Sequence, residues 1–179
     1  AKIWDAETGK LLHTLQGHTG WLYSAHYNAS GSQIVTASED GTARIWDAHS
    51  GKLLQTLEGH TGSLRSAKYN PTGSQIVTGS EDETAKIWDA LTGELLHTLQ
   101  GHTDLVKSAQ YNASGSQVIT TSWDETAKIW DAQSGELLHT LQRHADNVLS
   151  AQYNANGSQI VTIGYNTAEI RDFLTDELL

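Results

Sequence analysis

Nine histidines, 21 acidic residues and no cysteine set the side-chain chemistry open to this 179-residue chain. Imidazole and carboxylate groups serve as general acids, general bases and metal ligands. Without a thiol there is no disulfide framework, zinc-thiolate site or cysteine nucleophile. The histidines are not scattered. His18, His60 and His102 each follow a glycine (Gly17, Gly59, Gly101) at a step of 42 residues, and Arg143-His144 holds the next place. Ile-Trp-Asp keeps the same step at Ile3-Trp4-Asp5, Ile45-Trp46-Asp47, Ile87-Trp88-Asp89 and Ile129-Trp130-Asp131. A third marker, Ser-Ala-x-Tyr-Asn, begins at Ser24, Ser66, Ser108 and Ser150. Three markers in one register define an internal repeat. His26 and His49 occur once each and read as solvated. Glu39-Asp40 and Glu81-Asp82 read as turn chemistry rather than acid/base pairs. Gly31-Ser32-Gln33 and its copies read as turns and not as a phosphate-binding loop.

Short strands must position these groups. Ala43–Asp47 and Gln33–Thr36 are brief, bounded and rich in β-formers, and Leu22–Tyr27 and Lys52–Leu57 supply two more runs. Turn signals separate them at Ala29-Ser30-Gly31-Ser32, Glu39-Asp40-Gly41 and His49-Ser50-Gly51. Four such strands form an antiparallel meander. One meander is too small to bury both faces alone, so it stacks on its neighbours.

Charge narrows the partners. Eleven Lys and Arg against 21 acids leave a formal charge of −10. That sign excludes a phosphate-binding surface and attraction to anionic lipid, so neither nucleic acid nor membrane is an expected partner. No apolar run approaches the roughly 18 residues of a membrane span. The first residues, Ala1 to Asp5, are not those of a signal peptide. The absence of Met, even at position 1, is what a processed or excised chain would show. The expected location is cytoplasmic.

A four-stranded unit of this length carrying Gly-His and Trp-Asp resembles the WD-repeat β-propeller family, and the resemblance runs from Ala1 to about Thr162. It implies an all-β fold of four-stranded antiparallel blades, with strands a to d running outward from the centre of the ring. It also implies a side-chain network in each blade. The matching sets are His18, Thr36, Asp40 and Trp46; His60, Thr78, Asp82 and Trp88; and His102, Thr120, Asp124 and Trp130. A buried indole N–H needs an acceptor; a hydroxyl can accept it and donate to a neutral imidazole, whose other nitrogen donates to a carboxylate. Ser38, Ser80 and Ser122 lie two residues further along and are rival hydroxyls. A histidine, a hydroxyl and a carboxylate also spell a hydrolase triad. Threefold repetition with a tryptophan at the end favours a structural clamp. His13, His97 and His139 share another repeat position, but copies on different blades lie too far apart for one ion. No metal and no cofactor is expected.

The two ends of the chain are complementary. Residues 1–15 read as strands c and d, with Trp4 but no histidine before it. Residues 16–142 hold three whole blades. Residues 143–163 read as strands a and b, with His144 and Thr162 but no tryptophan, because Arg171 stands in its place. Trp4 is therefore expected to complete the blade begun by His144 and Thr162, giving four blades per chain. Near-identical repeats do not easily taper to a four-fold ring. Two chains joined head to tail would close an eight-bladed ring without an exposed edge; a fragment of a larger propeller and a closed four-bladed monomer are the alternatives. The tail, 164–179, continues the repeat in degenerate form. Yet Asn166-x-x-Glu169 resembles a capping box and Ile170, Leu174 and Leu178 fall four apart, so a short helix is the favoured expectation over a strand.

Comparing the copies points to a surface. Before strand a stand Trp21, Ser63, Leu105 and Asn147; two residues on come Tyr23, Arg65, Lys107 and Leu149; after strand b come Glu39, Glu81, Trp123 and Tyr165. In the family these regions open onto the narrow face and the channel. Trp21, Tyr23, Arg65, Lys107 and Trp123 are thus candidates for binding a protein or peptide; tolerated drift is the alternative. The expected function is a non-catalytic protein-interaction scaffold that also forms a homodimer. A purely architectural or engineered self-assembling repeat protein, and an enzyme with a site at the channel mouth, remain as alternatives.

Overall fold

The computed structural model describes residues 1–141, 144 and 146–172, the last two as backbone only. Seventeen strands in five antiparallel sheets make up this part. The first sheet has two strands, β1 (Lys2–Trp4) and β2 (Leu11–Thr14). Three four-stranded sheets follow. They are β3 (Leu22–Tyr27), β4 (Gln33–Ser38), β5 (Ala43–Asp47) and β6 (Leu53–Leu57); β7 (Leu64–Tyr69), β8 (Gln75–Ser80), β9 (Ala85–Asp89) and β10 (Leu95–Leu99); and β11 (Val106–Tyr111), β12 (Gln117–Ser122), β13 (Ala127–Asp131) and β14 (Leu137–Thr140). The last sheet has three strands, β15 (Ser150–Tyr153), β16 (Gln159–Ile163) and β17 (Ala168–Asp172). Each sheet is a meander in chain order, and the series is not closed into a ring.

Local chemistry ends each strand where the markers fall. In the turn between β3 and β4 the Asn28 carboxamide accepts the Gln33 N–H at 3.1 Å, and Gly31 adopts a φ of 72°. Between β5 and β6, Asp47 accepts the Ser50 N–H at 2.7 Å and its hydroxyl at 2.6 Å, an Asx-type turn. The turn after β4 needs a left-handed residue. Gly41 supplies it at φ 79°, but the copies place Glu83 at 67° and Glu125 at 68°, which is unfavourable for an L side chain.

Sheets stack face to face. Val35, Ala37, Ala43, Ile45 and Leu57 of one sheet meet Leu64, Ala67, Ile76 and Trp88 of the next. Val77, Ala85, Ile87 and Leu99 meet Val106, Ala109, Val118 and Trp130 in the same way. At the start, Ile3 and Leu15 cover Ile34 and Trp46. Burying each large apolar side chain contributes about 1.5–3 kcal/mol. At the inner edge the Ser24 hydroxyl accepts the Ala67 N–H, and Ser66 accepts that of Ala109, both at 3.1 Å. The bond gives the Ser-Ala pair of two copies a role, whereas the Ser108 hydroxyl pairs with Thr121 at 2.9 Å. At the outer edge His13 Nε2 bonds the His49 carbonyl at 2.7 Å, while Gln55 donates to the Leu91 carbonyl at 3.0 Å.

The tail departs from the helical expectation. Ala168–Asp172 is a strand, paired with β16 from Ile163↔Ala168 to Gln159↔Asp172. The Asn166-x-x-Glu169 pattern does not start a helix. A single-turn helix is marginal on its own, whereas β16 offers a row of backbone donors and acceptors along its outer edge. The remainder of that expectation, on 173–179, lies outside the described residues, as does Arg143.

Candidate functional site

Each complete sheet contains one clamp of the same geometry. In the first, Trp46 Nε1 donates to Thr36 Oγ1 at 2.9 Å, Thr36 Oγ1 lies 2.8 Å from His18 Nε2, and His18 Nδ1 lies 2.8 Å from Asp40 Oδ2. The second repeats this at 2.9 Å for Trp88–Thr78, 2.8 Å for Thr78–His60 and 2.7 Å for His60–Asp82. The third has 2.8 Å for Trp130–Thr120, 2.7 Å for Thr120–His102 and 2.7 Å for His102–Asp124. One proton arrangement satisfies every member. The imidazole carries its proton on Nδ1 for the carboxylate, Nε2 accepts from the threonine O–H, and the threonine oxygen accepts from the indole.

Strand alternation puts these groups on one face. Thr36 and Trp46 sit on adjacent strands β4 and β5, with Thr36 opposite Arg44 and Ile34 opposite Trp46. Histidine arrives from the loop before strand a, and Gly-His has a steric reason. Gly59 has a φ of 151°, and a Cβ there would meet the Trp88 ring at 3.2 Å. The rival serines are used elsewhere: Ser80 Oγ donates to the Gly62 carbonyl at 3.1 Å, Ser122 Oγ to the Asp104 carbonyl at 2.9 Å, and Ser38 Oγ accepts the Asp40 N–H at 3.2 Å.

Burial holds the His18 imidazole below its ordinary pKa, and the Asp40 carboxylate offsets this only in part, so the ring is neutral near pH 7. Burial alone would raise the aspartates. Hydrogen bonds outweigh it and hold Asp40, Asp82 and Asp124 well below the usual carboxylate range. Some of the donors were not singled out from the sequence. Thr42, Thr84 and Thr126 hydroxyls reach the second carboxylate oxygen at 2.6, 2.6 and 2.7 Å, and the Thr19, Thr61 and Thr103 N–H groups reach the first at 3.0, 3.0 and 3.1 Å. The recurring Asp-x-Thr was the available signal. Thr36, Thr78 and Thr120 are wholly buried and each is already bonded to an indole. A hydroxyl so enclosed cannot meet a substrate, which makes the sets clamps and not triads.

The seam residues lie in different sheets within one chain. Trp4 is 53% exposed in the first sheet, while His144 and Thr162 are buried at the last. The c-strand place beside β16 is taken by β17, where Glu169 faces Thr162 in the register and lies 3.5 Å from His144 Nδ1. A single chain therefore does not form the composite blade. Glu169 was not anticipated as the partner of His144, because loss of one residue moves it to the place that Lys128 holds.

Within each complete sheet, the variable position before strand a bonds the one after strand b. The Trp21 carbonyl accepts the Glu39 N–H at 2.8 Å, Ser63 accepts from Glu81 at 2.9 Å and Leu105 from Trp123 at 3.1 Å. The variable positions before strand a and after strand b are thus backbone neighbours. Trp21 is 75% exposed and Trp123 37%. Arg65 stacks over Tyr23 at 4.2 Å from the ring centre and pairs with Glu81. The nearby Lys107 charge helps to lower the Glu81 pKa, against burial. Among the described residues, no cluster of three or more His, Cys, Asp or Glu is placed to hold a metal ion. Among the described residues, no helix is long and apolar enough to cross a membrane.

Stacked four-stranded sheets, each tied by a His–Thr–Trp clamp, are the blades of a propeller-type repeat array. A family model for the WD domain, G-beta repeat, matches residues 9–47, 51–89 and 93–131, and the chain belongs to that family. Single repeats also resemble parts of longer proteins. The "THO complex subunit 6" of Arabidopsis thaliana is 50% identical over 44 residues, 25% of this chain and 12% of that protein. The "Nuclear distribution protein PAC1" of Arthroderma benhamiae is 46% identical over 43 residues, 24% and 9% respectively. The "Periodic tryptophan protein 2 homolog" of Schizosaccharomyces pombe is 45% identical over 42 residues, 24% and 5%. The matched stretch is thus a small fraction of each relative's length.

Proposed function

We propose that the protein is a non-catalytic, cytoplasmic interaction scaffold that binds a protein or peptide on the narrow face of its propeller. The observation that carries the reading is the set of Trp21, Tyr23, Arg65, Lys107 and Trp123, with Trp21 three-quarters exposed. Large aromatic groups and arginine dominate binding energy at protein interfaces, and an exposed tryptophan has no packing role of its own. The test is selection of peptides from a displayed random library against the parent protein. Binders are expected to lose about tenfold or more in affinity with Trp21→Ala plus Trp123→Ala, at unchanged melting temperature. Unchanged affinity, or no selectable binder, would favour a purely architectural repeat protein.

We further propose that two chains close one eight-bladed ring. Trp4 of one copy would then complete the His144 and Thr162 clamp of the other. Support comes from the ends: Leu22 is 38% exposed where its copies Leu64 and Val106 are fully buried. Trp4→Ala should weaken the dimer. Light scattering that finds monomers both for the parent and for a chain ending at Asn166 would remove this reading.

A further inference from the structure

We infer that β17 is a placeholder strand, which occupies the outer edge of β16 in the lone chain and yields it to β1 of a second copy. The inference rests on the ring-closing reading above and adds a competition that decides when the ring can close.

The edge admits one strand. β15 holds one side of β16, through pairs such as Ala151↔Thr162, and β17 holds the other, through Val161↔Ile170 and Thr162↔Glu169. In a complete blade that second side belongs to strand c in the same register: Val118↔Trp130, Ile119↔Ile129, Thr120↔Lys128. Carried onto the repeat, β1 of a second copy sets Trp4 against Ile160, Ile3 against Val161 and Lys2 against Thr162. These are the places β17 now fills, so the two arrangements exclude each other.

Side chains favour the exchange. β17 puts Arg171 opposite Ile160, where the complete blades put the tryptophan that donates to the clamp threonine. Its Ile170 stays 48% exposed, whereas Ile45, Ile87 and Ile129 are fully buried. Glu169 stands 3.5 Å from His144, against 2.7–2.8 Å for the aspartates of the other clamps. β1 carries the missing indole, and β2 carries the fourth strand. The backbone pairs surrendered by β17 are remade with β1, so burial and the clamp decide the outcome.

The vacant contacts point to the same occupant. Gly51 and Gly135 lie against His13 and His97, but Gly9 has nothing within 4 Å. Ala25 is exposed where Ala67 and Ala109 are fully buried. Both gaps fall where strands β14 and β15 of another copy would sit.

The test locks β17 in place. The chain has no cysteine, so Val161→Cys with Ile170→Cys introduces one directly opposed pair whose bridge is made and broken at will. Sedimentation equilibrium then compares the oxidised and reduced full chain with the parent and with a chain ending at Asn166. The reduced form is expected to dimerise like the parent, the oxidised form about a hundredfold more weakly, and the shortened chain about tenfold more tightly than the parent. A monomeric parent with a dimeric shortened chain also supports the placeholder. A shortened chain that dimerises no more tightly than the parent would overturn the placeholder and leave ring closure standing; oxidised and reduced forms dimerising equally would overturn both, because a bridged β17 keeps β1 off the edge. If every form, the shortened chain included, stays monomeric, ring closure falls and the placeholder with it.

Discussion

Thr78→Val isolates the worth of a clamp from the worth of packing. Valine nearly matches threonine in shape, so no cavity opens at this fully buried position. The substitution removes the oxygen that takes the Trp88 indole proton at 2.9 Å and that serves His60 Nε2 at 2.8 Å. Trp88 is 1% exposed, so water cannot replace the lost partner. Each orphaned buried group costs about 1–3 kcal/mol, giving a loss of about 2–6 kcal/mol for the pair. With a urea slope of about 2–3 kcal/mol/M, the unfolding midpoint should fall by about 0.7–3 M. Tryptophan fluorescence and far-ultraviolet circular dichroism followed together would read it and would reveal any repeat-by-repeat unfolding. Trp88→Phe in the Thr78→Val background removes one of the two orphans, so the double variant should lose less than the sum of the single ones. A Thr78→Val midpoint within error of the parent, or strict additivity with Trp88→Phe, would refute the clamp as a stabilising network.

Glu83→Gly should raise stability by about 0.5–1 kcal/mol in the same denaturation assay, because φ at that position is 67° and the left-handed cost for an L residue exceeds the entropy cost of glycine. Gly59→Ala should lower stability by about 1–3 kcal/mol, since the added methyl meets the Trp88 ring at 3.2 Å on a backbone that glycine favours; a neutral result would show that the loop shifts freely. Acid should destabilise the fold in two stages. His18 has a lowered folded pKa, so its neutral form contributes stability above the unfolded value of about 6.5, and this is lost as pH falls through the folded value. The clamp aspartates, also lowered, contribute above about 4 and lose their share below it, and a melting temperature flat from about pH 7 to 3 would contradict both assignments.

The clamps were implied by the resemblance to the WD-repeat family, and the repeat picks out the residues that fill them. His60, Thr78, Asp82 and Trp88 recur together at a fixed step, and strand alternation then places Thr78 and Trp88 on one face. The supporting Thr84 escaped notice although Asp-x-Thr recurs, since the spacing alone does not mark that threonine as the donor to a carboxylate's second oxygen. The tail was misread for a different reason. Asn166, Glu169 and Ile170 carry a real helical pattern, but the deciding fact is non-local: the open edge of β16 lies next to them in space. Glu169 as the partner of His144 depended on the same pairing. The convergence of Trp21 with Glu39, and of Leu105 with Trp123, likewise needs the strand ends brought together.

The outer-edge bonds from His13 to the His49 carbonyl and from Gln55 to the Leu91 carbonyl join a side chain of one unit to the backbone of the next. Because the acceptor is main chain, such a latch does not check the identity of what it grips. Any copy can therefore follow any other, from the same molecule or from a different one. Refolding at high concentration should then trap interlocked species that dilution avoids, and a unit gained or lost by recombination would leave every surviving latch intact.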